Sequence, residues 1–560
     1  MSTLFPQGPA FRLTSLVGMG LRTFLARRIP LLSNLRHWKE NSAGIQIAQL
    51  RSVLRTAQHT EFGKAKSFSK LLALDNHDIV EAFRSEIPVA DWYAYASLIE
   101  RMRVGGERDI LWPGLVMDYA QTSGTTAGDK FIPVSQQMLR SNFLASLDIF
   151  GSLARFGVPL GQMLAGKSLF LGGSTDLTTN THGVRTGDLS GIVTPLIRWP
   201  LSEIYLPGPK IALMSHWPSK IQAMAERCLH EDVRMVSGMC SWGLVLFEKV
   251  LELARAQGRK ASVITDVWPN FSVFVHGGVK YTPFDSRMRA IYSGSADGAD
   301  IPVRCELYPA SEGFVAIQDT PRDPGLRMLT DIGNFIEFVP LAEASNPAPR
   351  AHACWEVEKG QRYVVTLTTC AGLYRYLLGD VVEFDTIPDR PHFLGGGGGE
   401  GPARLRIVGR HKHFINAFGE NLIVEHIENA VAKASHAAQL IVGEFTAAPV
   451  YPQGESKAGL ELVVELAQPA HTPQASAQLG LFRDAFDASL KAQNADYTTK
   501  RTDSLGMQPP TITPVPVGTF HAWLASKGKL GGQHKCPRCA NHRDIIDALL
   551  AQAAAHAPRP

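Results

Sequence analysis

From about residue 100 to residue 408, short apolar runs rich in β-branched residues alternate with stretches of helical periodicity. That alternation is the mark of an α/β body. Val364-Val365-Thr366-Leu367-Thr368 predicts one strand, and Ile407-Val408 predicts another short one. The first 100 residues read as helical. After about residue 410 the character changes. Asn421 to Ala434 predicts a helix, Gln439 to Phe445 and Leu460 to Leu466 strands, and Gln478 to Gln493 and Arg543 to Ala555 two more helices. Pro509, Pro510, Pro514 and Pro516 mark a loop within this part. A chain of 560 residues is too long for one core, since domains usually hold ~100–200 residues. The expected fold class is therefore α/β, with a large N-terminal body over residues 1–409 and a smaller, mobile α+β C-terminal domain over residues 410–560. Gly409-Arg410 is the natural hinge.

Bulk properties exclude several classes. A formal net charge of +4 over this length predicts affinity for neither nucleic acid nor membrane. The seven cysteines form an odd, sparse set in which only Cys536 and Cys539 lie close together. That is no disulfide framework, and it predicts a reducing, cytoplasmic compartment. No apolar run reaches the ~18 residues of a membrane-spanning helix. Phe11 to Pro30 is apolar but carries Arg12, Arg22, Arg27 and Arg28 within and after its apolar part. A signal peptide puts its basic residues first. The segment predicts an amphipathic helix packed on the body, with a membrane-surface role as the alternative.

Four polar segments carry chemistry. In Gln121-Thr-Ser-Gly-Thr-Thr-Ala-Gly-Asp-Lys130, two glycines and several hydroxyls are closed by a lysine. Glycines let backbone N–H groups approach an anion, hydroxyls donate further hydrogen bonds and the lysine adds positive charge, which together suit a polyphosphate. A polar turn ahead of a helix has the same composition, and the Gly-Lys-Ser/Thr order of a Walker loop is absent. Ser135 predicts the N-cap of the following helix, whose apolar stripe is Leu139, Phe143 and Leu147. In Tyr308-Pro-Ala-Ser-Glu-Gly313 an aromatic ring can stack on a purine and Glu312 can hold magnesium. The same residues suit a plain turn at a strand end. In Tyr374-Arg-Tyr-Leu-Leu-Gly-Asp380 a carboxylate sits between apolar runs, where it can accept from a ribose diol or close a β-turn. In Gln533-His-Lys-Cys-Pro-Arg538 a lysine can neutralise a phosphoanion, or belong to a solvated basic loop.

Two other features read as structure. Cys536-Pro-Arg-Cys539 has His534 and His542 nearby but no second cysteine pair for a four-ligand zinc site. The run Gly395 to Gly399 has no following Lys-Ser/Thr, so it predicts a flexible surface loop.

Taken together and in this order, the four segments resemble the adenylate-forming superfamily of acyl-CoA synthetases, luciferases and peptide-synthetase adenylation domains. Within it they are similar to the plant auxin-responsive acyl acid-amido synthetases, the Gretchen Hagen family, and their bacterial relatives. Pro88-Val-Ala-Asp-Trp-Tyr93, Gly105-Gly-Glu107, Leu111-Trp-Pro-Gly114, Trp268-Pro-Asn270, Gly277-Gly278, Tyr281 and Gly518-Thr-Phe520 extend the likeness over roughly residues 80 to 550. The resemblance implies ATP and Mg²⁺ as cofactors, with a small carboxylic acid and an amine, an amino acid by family habit, as the other partners. It implies that Ser123, Gly124, Thr125, Thr126 and Lys130 cradle the ATP phosphates. Tyr308 would lie near the adenine, Ser311 and Glu312 near the phosphates and magnesium, and Asp380 at the ribose. Arg410 would stand at the interdomain hinge, and Lys535 would reach the α-phosphate or the reacting carboxylate.

Plant members carry a lysine in the segment that reads Ile415-Asn-Ala-Phe-Gly-Glu-Asn421 here, which leaves one phosphate contact without a counterpart. The implied chemistry is adenylation of an acid followed by transfer of the acyl group to an amine. A thioester-forming acyl-CoA ligase would use the same nucleotide residues. A relative that kept the fold but not the catalysis would bind nucleotide only. Neither the acid nor the amine can be read from the sequence.

Overall fold

The computed structural model spans 560 residues and describes all except 1–3, 7–13, 124–128, 173–176, 198–200, 215–216, 279–280, 411–413, 416–421, 451–458, 467–472, 495–496, 499–500, 502–506, 528–534, 541 and 557–560. The chain divides into two compact units. One holds Met1–Lys280 and Met288–Ile407; the other holds Tyr281–Arg287 and Val408–Pro560. The division falls just ahead of Gly409-Arg410. No sequence signal marked Tyr281–Arg287 as part of the second unit.

The first unit opens with helices, as expected. The predicted N-terminal helix is two, Ser15–Phe24 and Arg28–Ser33. Pro30 lacks the N–H that a continuous helix would need there, so it is tolerated only in the first turn of a new one. Ser15–Phe24 does pack on the body. A Cβ at Gly18 would stand 2.3 Å from the Leu160 carbonyl oxygen, so only glycine permits this approach. The long helix Leu35–Ala57 is N-capped by Asn34, which accepts from the His37 N–H at 3.0 Å. It buries Trp38, Ile47, Leu50 and Leu54.

Among the described residues, twelve strands form the main sheet. Their spatial order is His352–Ala353, Phe335–Pro340, Arg362–Thr368, Tyr376–Thr386, Arg404–Arg410, Leu326–Met328, Gly313–Gln318, Val303–Ala310, Val273–Gly277, Val233–Gly238, Lys167–Phe170 and Tyr205–Leu206. The last five run parallel to one another. The pairs from His352–Ala353 to Tyr376–Thr386 are antiparallel. Val364, Val365 and Leu367 are wholly buried. This explains a continuous apolar run where a one-faced strand would alternate, and each such side chain contributes ~1.5–3 kcal/mol by leaving water. A second sheet, of four strands, pairs Asp118–Ser123 antiparallel with Asp129–Val134 and parallel with Arg185–Gly187.

In the second unit, Val442–Val450, Gly459–Leu466 and Thr511–Val515 form a three-stranded sheet. The helices Val424–Ala438 and Pro473–Gln493 share a core with it around Ile427, Phe445, Leu462, Phe482 and Phe486. The strand expected at Gln439 to Phe445 starts later, because the preceding helix runs on to Ala438. Pro514, expected in a loop, lies inside Thr511–Val515. That strand is at the sheet edge, where a missing N–H leaves no ladder bond unmade.

Two further expectations change. On the helix Gln136–Arg155 the buried face is Met138, Ser141, Asn142, Ala145 and Asp148, whereas Phe143 is 54% exposed. The core has selected a more polar stripe than the apolar spacing suggested, because Asp148 is buried against Arg28 at 2.6 Å. The glycine run is on the surface but tied down. Gly399 N–H donates to Asp389 Oδ1 at 2.8 Å, and Gly397 O accepts from Arg390 N–H at 2.9 Å.

Candidate active site

Ligands of parallel sheets collect at the carboxyl ends of the strands. Here those ends are Phe170, Gly238, Gly277 and Ala310. Val303–Ala310 turns directly into Gly313–Gln318 with Gly313 opposite Ala310, so Ser311 and Glu312 form a two-residue turn. Turns normally face solvent, yet both residues are only 7% exposed. Gly313 has φ 150°, and a Cβ there would stand 2.6 Å from Asn334 Nδ2. The site therefore demands glycine after the glutamate. On the neighbouring strand, burial and then the charge of Arg304 lower the His276 pKa to about 3, so this imidazole is neutral.

Asp380 is not in a β-turn. Val364 pairs with Val381 and Thr366 with Leu377, which leaves Leu378, Gly379 and Asp380 opposite Val365 alone. This is a bulge inside Tyr376–Thr386, with Gly379 at φ 94°. Bulges re-aim a side chain and are common beside active sites. Asp380 Oδ2 accepts a hydrogen bond of 2.8 Å from the Tyr308 hydroxyl. Three strands separate those two residues in the sheet order. A flat sheet, at about 4.8 Å per strand, would hold their backbones about 19 Å apart, beyond the reach of the two side chains. The sheet must curl to bring the bulge to the parallel strand ends.

The approach to the bulge is pinned from several sides. Arg375 adopts φ 48° and is 3% exposed. Its guanidinium donates to Glu337 Oε2 at 3.0 Å and to the Ile87 carbonyl at 2.6 Å. Arg84 takes the other oxygen of Glu337 at 2.9 Å. Tyr374 stacks on Phe62 and donates to the Leu111 carbonyl at 2.7 Å. Ala90 bonds to both Arg375 and Leu377. The segments around Pro88 and Leu111, noted in the sequence without a role, thus hold the strand that carries Asp380.

The hydroxyl-rich segment begins and ends as a hairpin, with Thr122 opposite Lys130 and Ser123 opposite Asp129. Lys130 is half-buried. Gly124, Thr125 and Thr126 lie outside the described residues, as does the Ser123 side chain. The helix that follows starts as expected: Ser135 Oγ accepts from Met138 N–H at 3.0 Å. The same hydroxyl donates to the Cys370 carbonyl at 2.5 Å, and the Cys370 N–H donates to Asn334 Oδ1 at 3.2 Å. Asn334 in turn abuts Gly313. Three sequence segments are thereby linked: the helix after the hydroxyl-rich loop, the Ser311–Glu312 turn and the strand pair leading to Asp380. Sequence reasoning missed Asn334 and the bridging role of Ser135. The pair Gly333-Asn334 was the available signal, and Gly333 has φ 109°.

Lys535 and Arg410 belong to the second unit. Lys535 is exposed; Arg410 ends the strand Arg404–Arg410, and its side chain lies outside the described residues. The segment after Lys535 is fixed to Val442–Val450. Thr446 donates to the Pro537 carbonyl at 2.6 Å, Ala447 N–H to the Arg538 carbonyl at 3.0 Å, and Arg538 to Glu444 at 2.7 Å. Cys536 and Cys539 enter two different apolar clusters, which is a packing role. Gly518 is the N-cap of Thr519–Ser526 at φ 93°, and the Phe520 N–H donates to Glu465 at 2.9 Å.

Comparison with known proteins bears on this arrangement. Residues 31–197 match the GH3 family N-terminal domain, 327–393 the GH3 family central domain and 425–544 the GH3 family C-terminal domain. The chain belongs to the GH3 family. This GH3 chain is 23% identical over 582 residues to a probable indole-3-acetic acid-amido synthetase, GH3.1, of Arabidopsis thaliana, covering 91% of each. In fold it is similar to the GH3.15 acyl acid amido synthetase, with a TM-score of 0.71, 17% identity and coverage of 93% of this chain and 96% of that one. It is also similar to 2-hydroxyisobutyryl-CoA ligase in its postadenylation state, with a TM-score of 0.51, 15% identity and coverage of 91% of both. The fold is that of adenylate-forming enzymes, an α/β body followed by a smaller C-terminal unit. Among the described residues no helix is long and apolar enough to cross a membrane.

Proposed function

We propose that this chain is an ATP-dependent acyl acid-amido synthetase. It adenylates a carboxylic acid with release of pyrophosphate, then transfers the acyl group to the amine of an amino acid with release of AMP. The observation that carries the reading is the Tyr308–Asp380 hydrogen bond, which joins two distant polar motifs at the carboxyl ends of the parallel strands. The amine as acceptor rests on the amido synthetases among the relatives.

Asp380, 8% exposed on its bulge, is the acceptor for the ribose diol. Tyr308 is 4% exposed. Its ring therefore serves as the wall of the adenine site more than as an open stacking plate, and its hydroxyl orients Asp380. The hydroxyl-rich segment with Ser123, Gly124, Thr125, Thr126 and Lys130 takes the phosphates. Ser311 and Glu312 stand at the strand end beside them. One buried carboxylate in a tight turn suits Mg²⁺, which takes one or two protein oxygens and fills its shell with phosphate and water. When bound, Mg²⁺ offsets the negative charge that gathers on the phosphates.

The acid attacks the α-phosphorus, and the mixed anhydride has AMP as leaving group in place of oxide. Fixed donors and a lysine favour the charge that builds there. Lys535 is the group we assign to it, delivered by a C-terminal domain that turns at Arg410 between the two half-reactions and excludes water. No covalent nucleophile is needed. Burial pushes the thiols of Cys228, Cys305 and Cys370 up to about 12, so none of these is a thiolate at neutral pH. The seven cysteines are an odd, sparse set and all are buried, which supports a cytoplasmic setting.

Exchange of labelled pyrophosphate into ATP, dependent on a carboxylic acid from a panel, tests the reading. Exchange that requires the acid and Mg²⁺ and falls sharply in Asp380→Asn is expected. Absence of exchange with every acid, while ATP still binds, would leave the chain a nucleotide-binding relative.

A further inference from the structure

The helix Ser15–Phe24 carries apolar residues on two opposite faces. One face is spoken for: Gly18 lies against the Leu160 backbone, and Val17 and Leu21 pack on the same core cluster. The other is turned outward. Leu16 and Phe24 are 50% and 68% exposed on the side away from Gly18, and Met19, 53% exposed, borders them with its Cγ turned toward Gly161. Such a stripe is costly in water and marks a surface that is covered by something.

Charge says what covers it. Residues 1–39 contain no Asp or Glu, whereas they carry Arg12, Arg22, Arg27, Arg28, Arg36 and Lys39. Arg28 is taken up by Asp148 and Asp331, Arg36 by Glu40, and Lys39 lies near Asp389. Arg22 and Arg27 are exposed and enter no ion pair among the described residues. Arg22 lies within the stretch from Leu16 to Phe24, and Arg27 follows just after the helix. A second copy of the chain would bring the same cations face to face. An anionic bilayer offers hydrocarbon for Leu16, Met19 and Phe24 and phosphate for Arg22 and Arg27.

We propose that the outward face of Ser15–Phe24 docks the enzyme reversibly on an anionic membrane surface, lying in the headgroup layer without crossing it. The contact is independent of the nucleotide site. It would bring the enzyme to the interface where amphiphilic carboxylic acids concentrate.

Co-sedimentation of the full-length protein with vesicles tests this. Binding to phosphatidylglycerol–phosphatidylcholine vesicles should exceed binding to phosphatidylcholine alone by at least roughly tenfold, because two cations meet the anionic surface. It should weaken as salt rises. Met19→Glu with Phe24→Glu should abolish it, and Arg22→Glu with Arg27→Glu should remove the preference for the anionic lipid. Acid-dependent turnover away from vesicles should be unchanged in both variants. Failure of the wild type to bind anionic vesicles would overturn the proposal, as would equal binding by the Met19→Glu/Phe24→Glu variant. So would a concentration-dependent dimer that Phe24→Glu dissociates, since that would assign the face to a second copy.

Discussion

The Tyr308 hydroxyl donates to Asp380 Oδ2 across 2.8 Å, although three strands stand between their own in the sheet. Curling of the sheet and the bulge at Gly379 make the contact possible. If Asp380 holds the ribose and Tyr308 holds Asp380, the two substitutions should differ in size. Tyr308→Phe removes one hydrogen bond and should cost about 1–2 kcal/mol of stability, with a rise in KM for ATP of several-fold. Asp380→Ala should raise KM for ATP further while changing KM for the acid little. Steady-state kinetics with each substrate varied in turn would distinguish them.

Lys535 is assigned to the reacting centre and not to the sugar. Lys535→Ala should therefore slow the adenylation step about 10²-fold or more, as loss of one transition-state donor does, with little effect on ATP binding. Rapid-quench measurement of acyl-adenylate formation, beside an ATP titration by calorimetry, checks it. Adenylation at the normal rate would remove Lys535 from the site.

Glu337 is 1% exposed and is shared by Arg84 and Arg375. Glu337→Ala takes from the buried Arg375 the carboxylate it bonds, while Arg84 keeps Glu81 and Glu356. Breaking a buried ion pair in this way costs about 3–5 kcal/mol. Urea unfolding of the first unit should shift accordingly, and nucleotide affinity should fall because Arg375 no longer fixes the approach to Asp380.

His276 predicts a pH dependence of stability. Its folded pKa is lowered to about 3, chiefly by burial, whereas an unfolded histidine titrates near ~6.5. Between those values the unfolded chain binds a proton that the folded chain refuses. The contribution is intact above pH ~6.5 and is lost as the pH falls toward 3, with a slope of up to about 1.4 kcal/mol per pH unit. Denaturant titrations at several pH values should show this slope, and His276→Gln should flatten it.

Much of the fold could be read from local chemistry. Ser135 caps its helix because a hydroxyl ahead of an amphipathic run satisfies the Met138 N–H. Val364 to Thr368 forms a strand because β-branched residues suit a sheet buried on both faces. Asp380 and Glu312 were legible as polar residues among apolar runs, but their setting was not. The bulge depends on a register mismatch with Arg362–Thr368, and the buried turn depends on Asn334, far along the chain. Phe143 lies outside the buried face for a similar reason. Spacing marks which residues share a helix face, whereas the buried Asp148 pairing decides which face turns inward. The segments at Pro88 and Leu111 carried family likeness without a visible purpose, and that purpose is tertiary: they bond to Arg375, Leu377 and Tyr374.

The most direct measurement is the product. A carboxylic acid that supports pyrophosphate exchange would be incubated with ATP, Mg²⁺, a mixture of amino acids and coenzyme A, and the products resolved by mass spectrometry. An N-acyl amino acid formed in step with AMP and pyrophosphate is the predicted result. A coenzyme A thioester as the sole acyl product, or ADP and phosphate in place of AMP and pyrophosphate, would contradict it.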